Sequence, residues 1–414
     1  MLRYGGAAIP MQKSLDKENL QGIQYLAGSE EILAHMPEVE AREPFCGEIE
    51  EFLNFLSKTL LSMPEAKLYP DVVTFAFWIR RSSVKKLAER FQAEENCIHL
   101  GRGVAFHIAP SNVAVNYAYS FAAGFMTGNA NVVRIPSKDF PQISIINKAV
   151  NTALEQYPAC RPYICFVRYG REQRINDALS SIADTRIVWG GDRTIAELRK
   201  SPLGPRASEI TFADRYSLAV IDSDAYLAAD NQPRIADDFY NDTYLTDQNA
   251  CTSPRLVVWC GSQTARAKER FWSLLLERVQ KKYEFQSIQG VNKLTNAFLA
   301  AAAQEGTHMI SCGDNRLVRI SLDHLFEGLM DFRGDSGYFY EYDCQDICDL
   351  KAVCDDTHCQ TVSYIGDPQM FLPLLKTGVR GIDRIVPVGK TMDFDLIWDG
   401  YNLYERLTRT IHIS

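Results

Sequence analysis

The chain has 414 residues, 46% hydrophobic and 23% charged, with a formal net charge of −8 at pH 7. That acidic balance excludes a basic nucleic-acid surface, and no apolar run reaches the roughly 18 residues of a membrane span. A cytoplasmic protein of two to three domains is expected, because MLRYGGAAIPMQKS has no apolar signal core and eleven scattered cysteines read as reduced thiols.

Residues 1–97 hold helical patterns, GEIEEFLNFLSKTLLSM and VKKLAERFQAEEN among them, whose apolar residues recur at three and four. They carry no chemical motif and predict a helical lead-in packed on the domain after it. From Arg102 strands and helices alternate: GVAFHIA, the helix SNVAVNYAYSFAAGFMTG, NVVRI, the helix DFPQISIINKAVNTALEQY, YICFVR, EQRINDALSSI, RIVWG and a helix from Asp192. Sustained alternation predicts an α/β fold with a doubly wound, Rossmann-type parallel sheet, which takes its ligand beyond the carboxyl ends of its strands.

This cofactor domain is expected over 98–223, ending in the strand SLAVID. A second α/β domain, 224–388, comes next, with the loop DQNACTSPR, a β-branched strand, the helix SQTARAKERFWSLLLERVQKKY, the helical NKLTNAFLAAAAQEG and a strand and helix in TVSYIGDPQMFLPLLKT. The tail, 389–414, closes in RTIHIS, which alternates like a strand.

Chemistry concentrates in DQNACTSPR, residues 247–255. Cys251 comes after two amides, Gln248 and Asn249, and precedes Thr252 and Ser253, small residues that leave the thiol approachable. Such a polar setting suits a nucleophilic thiolate. Three sites in the first domain accompany it. Gly190 and Gly191 sit between a strand and a helix, where backbone amides approach a pyrophosphate; two glycines there equally make a plain tight turn. Arg134, Ser137 and Lys138 lie at the end of VVRIPSK, with no acidic residue among them to hold a ribose 2′-hydroxyl, which favours a 2′-phosphate and NADP(H); the spacing alone equally reads as a solvated basic loop. Asn112, in APSN, reads either as an oxyanion donor or as a helix N-cap.

Cys344, Cys348, Cys354, His358 and Cys359 crowd together, but their spacings match neither structural zinc nor ferredoxin runs. The cysteines are expected to be mostly small buried hydrophobes, with no metal. His107, inside a strand, is expected to be a core histidine. Tyr117, Tyr119 and Phe121 read as core packing more readily than as an acyl tunnel.

QNACTSPR, HIAPSNV with AAGFMTGNANVVRIPSK, and RIVPVGKTMDFDLIWDGYNL together resemble the aldehyde dehydrogenase superfamily, and within it the LuxC-type acyl-CoA reductases. The resemblance covers the chain from Arg102 onward. It implies an aldehyde dehydrogenase-like fold, Cys251 as nucleophile, Asn112 as oxyanion donor, a phosphate turn at Gly190 and Gly191, and an adenosine-side segment at Arg134 to Lys138. It also implies a C-terminal oligomerisation strand and an acyl-protein synthetase partner.

One departure carries information. Where hydrolytic members hold a water-activating glutamate, this chain has Thr211, in TFADRYS, and a threonine is no base near neutral pH. The expected reaction is therefore NADPH-dependent reduction of an acyl-CoA to the aldehyde through a Cys251 thioester. The alternatives are an aldehyde-oxidising dehydrogenase, a cofactor-free cysteine acyltransferase or thioesterase, and a non-catalytic scaffold. The acid that protonates the aldehyde oxygen is not assigned, and Asp335, within the segment that resembles a nicotinamide-ribose contact, matches no motif.

Overall fold

The computed structural model describes residue 15 and residues 17–91, 96–110, 113–310 and 313–413. The chain divides into two units, Met1–Ala213 with Tyr401–Ser414, and Asp214–Gly400.

In the first unit the strands are β1 (Gln24–Ala27), β2 (Cys97–Gly101), β3 (Val104–Ile108), β4 (Ala130–Arg134), β5 (Ile164–Arg168), β6 (Thr185–Trp189) and β7 (Ser208–Phe212). Six of them form a sheet in the order β1-β5-β4-β3-β6-β7, parallel except for β1. β3 and β6 are buried along their whole length because helices cover both faces, so their apolar residues come in runs, VAF in β3 and IVW in β6, with His107, Thr185 and Arg186 buried beside them. The strand order reverses between β3 and β6, which makes their carboxyl ends the crevice of a doubly wound sheet.

The N-terminal helices belong to this unit. Phe52, on the helix Gly47–Ser62, packs edge-on against Phe125 with centroids 5.2 Å apart, and β1 adds an antiparallel edge to β5. The closing strand Thr408–His412 pairs antiparallel with β2 of the same chain, Thr408 opposite Gly101. Tyr117 and Phe121 are fully buried core residues, and the Tyr117 hydroxyl donates to Asn147 Oδ1 at 3.0 Å. His107 is buried as well, within hydrogen-bond distance of Ser120 Oγ (2.7 Å) and Asn131 Oδ1 (3.0 Å), and burial pushes it down to about 4, so it stays neutral.

The second unit holds β8 (Tyr216–Asp222), β9 (Pro254–Cys260), β10 (Thr307–Ile310), β11 (Val318–Leu322), β12 (Tyr338–Asp343), β13 (Cys359–Ile365) and β14 (Arg384–Pro387), in the order β10-β11-β12-β9-β8-β13-β14. Only the β10 pairing is antiparallel among these. Alternate residues feed two cores: Leu218, Val220, Leu256 and Val258 on one face, Ala219, Ile221, Val257 and Trp259 on the other.

SLAVID, expected to end the first domain at 223, is β8 and pairs with β9 and β13, so the chain changes unit after Ala213. The first sheet ends instead in β7, SEITF, whose polar Ser208, Glu209 and Thr211 conceal a five-residue strand. An apolar run states that a strand is buried and leaves open which sheet buries it.

Candidate active site

The cysteine loop begins where the turn Tyr244–Thr246 gives way to two consecutive left-handed residues, Asp247 (φ 50°) and Gln248 (φ 59°). Non-glycine residues hold that conformation only when their surroundings over-determine it. Here the determinant is Gln248, which is fully buried. Its amide nitrogen donates to the carbonyls of Pro254 (2.9 Å) and Tyr338 (3.0 Å), and its oxygen accepts from the backbone N–H groups of Gly337 (2.9 Å) and Tyr338 (3.1 Å). Arg255, also buried, donates to the Gln248 carbonyl at 2.6 Å and to that of Gly334. The hydrogen bonds of Gln248 therefore hold the loop to β12, and its amide is spent on backbone groups.

The Cys251 carbonyl accepts from Ser217 Oγ on β8 at 2.7 Å, and that hydroxyl accepts in turn from the Thr361 N–H on β13 at 3.3 Å. Backbone position is thus tied to two strands while the residue keeps intermediate exposure. Thr252 and Ser253, expected to leave the approach open, are themselves buried, with Thr252 Oγ1 3.1 Å from the Met392 sulfur.

The thiol is pushed up to about 12, first by burial and then by the Asp399 carboxylate; a hydrogen bond from Gln360 and the Arg215 guanidinium pull it down. So the resting group is a thiol, not a preformed thiolate. Gln360 also donates its amide to Asp399 Oδ1, and Arg215 is paired with Asp383 while donating to the Cys359 carbonyl at 3.0 Å. Gln360, Asp399 and Arg215 escape a reading of the sequence. The available signal is the Asp399-Gly400 dipeptide, a turn pair inside the WDGYN run.

Among the other expected residues, Asn112 lies outside the described residues. Gly190 and Gly191 come after β6 as expected. Gly191 caps the helix Asp192–Leu198, whose Thr194 N–H donates to its carbonyl at 2.8 Å, and a side chain at Gly191 would meet nothing within 4 Å. Arg134 stands at the carboxyl end of β4, its guanidinium 4.4 Å over the Tyr169 ring and donating to the Gly170 carbonyl at 2.8 Å. Ser137 and Lys138 are exposed just beyond it. Asp139, the next residue, pairs with Arg168 at 3.0 Å, so the basic loop does carry an acidic neighbour.

The cysteine-rich run does not converge: among the described residues no three His, Cys, Asp or Glu side chains are grouped to hold a metal. Cys354 and Cys359 are buried with their sulfurs 4.0 Å apart.

Two parallel-rich sheets, with a cysteine on a pinned loop before a central strand of the second, make this the aldehyde dehydrogenase fold. A mutant of Thermus thermophilus 1-pyrroline-5-carboxylate dehydrogenase superposes with a TM-score of 0.60 at 13% identity, over 94% of this chain and 86% of that one. Staphylococcus aureus betaine aldehyde dehydrogenase gives 0.62 at 13% identity over 88% and 82%, and aldehyde dehydrogenase 21 from Physcomitrella patens gives 0.62 at 11% over 92% and 88%. No curated protein sequence matches. A family model for acyl-CoA reductase (LuxC) matches residues 82–298, just over half of the chain and inclusive of Cys251, and the chain belongs to that family.

Proposed function

We propose that this protein reduces an acyl-CoA, or an acyl thioester handed over by a partner, to the aldehyde with NADPH as reductant, through a thioester on Cys251. The observation that carries the reading is a cysteine on a braced loop within a matched acyl-CoA reductase family, in a chain with Thr211 where hydrolytic relatives hold a glutamate. Thr211, on β7, pairs with Val188 of β6, and its hydroxyl cannot activate a deacylating water near neutral pH. An acyl group on Cys251 is thereby spared for reduction.

Among the fold relatives, 3,6-anhydro-L-galactose dehydrogenase has a structure in complex with NAP, and a mutant of AldA from P. syringae one in complex with NAD+. The placement of these residues supports a dinucleotide: the exposed turn at Gly191, where an added side chain would meet open space, and the loop of Arg134, Ser137 and Lys138 both lie at the carboxyl edge of the first sheet, flanking β3. When bound, NADPH supplies the hydride. The chain's own part is to hold the acyl group on sulfur and to manage the thiol proton. A second copy of the chain and an acyl-protein synthetase are the partners in this proposal.

The test is to incubate the protein with acyl-CoA of several chain lengths and monitor NADPH absorbance. NADPH consumption with free aldehyde is expected. CoA release that needs no NADPH and regenerates free enzyme would favour a thioesterase instead. Cofactor choice is tested separately: Arg134→Glu is expected to weaken NADPH binding by roughly tenfold or more while sparing NADH. Equal losses would remove Arg134 from 2′-phosphate recognition.

A further inference from the structure

A thiol held far above neutrality offers almost no thiolate, so its attack on an acyl carbonyl needs a group that takes the proton. Among the described residues, Asp399, Gln360 and Arg215 act on the Cys251 thiol, and Asp399 is the proton acceptor of these three near pH 7.

Asp399 is built into the site. It is 5% exposed, and it and Gly400 both adopt left-handed backbone, φ 50° and 74°. A side chain on Gly400 would approach Asp383 Oδ1 to 2.6 Å, so the turn is fitted closely against that carboxylate. Gln360, fully buried on β13, donates its amide to Asp399 Oδ1 and hydrogen-bonds the Cys251 thiol, bringing both groups to one anchor. Its own oxygen, Oε1, is buried without a partner, which leaves an acceptor beside the carboxyl for the state in which Asp399 carries a proton.

The charged groups facing the pair are Arg215 with Asp383, and Arg384, which donates to the carbonyls of Thr391 and Asp393 at 3.2 Å each and lies 4.1 Å over Trp398. Asp393 and Asp395 act on Arg384, and Cys251 also acts on Arg255, which feels Arg333, Asp335 and Asp214. Burial, with Asp383, raises Asp399 to about 6 against the pull of Arg215, Gln360 and Arg384. Its carboxylate form is therefore the one present above that pH, close to where a general base works best.

We propose that Asp399 accepts the Cys251 thiol proton during acylation and returns it to the sulfur when the aldehyde leaves, with Gln360 positioning the two. The proposal rests on the acyl-CoA reductase reading above. As Cys251 Sγ bonds to the acyl carbon, the S–H proton passes to the Asp399 carboxylate; the acyl–CoA C–S bond breaks, and the CoA thiolate takes a proton from water. Hydride addition to the resulting thioester gives a hemithioacetal oxyanion on Cys251. Collapse of that oxyanion forms the aldehyde C=O and breaks the C–S bond, and the departing sulfur recovers the proton held by Asp399.

Asp399→Asn tests this, since asparagine tolerates the same left-handed backbone and fills nearly the same volume. Two rates are read from pH 5 to 10: single-turnover CoA release from acyl-CoA without NADPH, and alkylation of Cys251 by iodoacetamide, read by peptide mass. In the variant, CoA release at pH 7.5 is expected to fall roughly a hundredfold, and the wild-type rise with a midpoint near 6 to disappear. Alkylation is expected to quicken, because removing the neighbouring negative charge lets the thiol ionise more readily. CoA release should then recover toward wild type at pH 9–10, which an unfolded variant would not do. Two rates that stay unchanged or fall together, or CoA release that does not recover at high pH, overturn the proposal. If the wild type releases no CoA at any chain length, the acyl-CoA reading fails; alkylation then still decides the pairing, which is overturned if the variant matches wild type.

Discussion

Replacing Cys251 with alanine is expected to abolish aldehyde formation, by on the order of 10⁴-fold or more, while leaving the fold intact. In the proposed reaction the loss is large because the sulfur is the atom that takes the acyl group, and none of its described neighbours can replace it. Gln360 is an amide, Arg215 is a cation paired with Asp383, and Ser217 Oγ is occupied by the Cys251 carbonyl and the Thr361 N–H. The fold survives because the loop is held by Gln248 and Arg255, whose hydrogen bonds do not involve the thiol. NADPH binding by the variant, measured by fluorescence titration, is expected to match wild type, which separates lost chemistry from lost structure.

The largest expected stability effect lies at Glu341, on β12 and fully buried in the second unit. Its Oε2 accepts from the indole N–H groups of Trp259 (3.1 Å) and Trp272 (3.0 Å) and from Arg319 Nη2 (3.1 Å), while Oε1 accepts from Arg319 Nε. Arg319 also lies 5.1 Å over the Trp272 ring. Glu341→Leu would leave a largely buried guanidinium without its counter-charge and two indole donors without an acceptor. Removing one member of such a buried pair costs about 3–5 kcal/mol, so the denaturation midpoint of the variant is expected to fall sharply. Glu341→Gln keeps an acceptor for the indoles and is expected to lose less. Equal stability of wild type and Glu341→Leu would show that the network does not stabilise the folded state.

Distance along the chain decides what is legible in the residues. β3 to β6 are legible because parallel strands covered on both faces keep short apolar runs, as VAF of β3 and IVW of β6 show. β7 is not, since Glu209 is paired with Arg186 and Arg199 in the fold and yet resembles a surface residue in sequence. The proposed nucleophile is singled out by one local run, DQNACTSPR. Its partners are not: Gln360 and Asp399 come from β13 and from a turn far along the chain, and only the folded sheet brings them to one thiol. The same distance hides the role of Gln248, whose buried hydrogen bonds go to Gly337 and Tyr338.

The most direct measurement of the central claim is the mass of the protein incubated with acyl-CoA in the absence of NADPH, mapped to peptides. A single acyl adduct is expected on the peptide that carries Cys251, sensitive to hydroxylamine as a thioester is, and discharged as aldehyde without free acid once NADPH is added. An adduct on another residue, aldehyde formation while Cys251 stays unmodified, or discharge as free acid would contradict it.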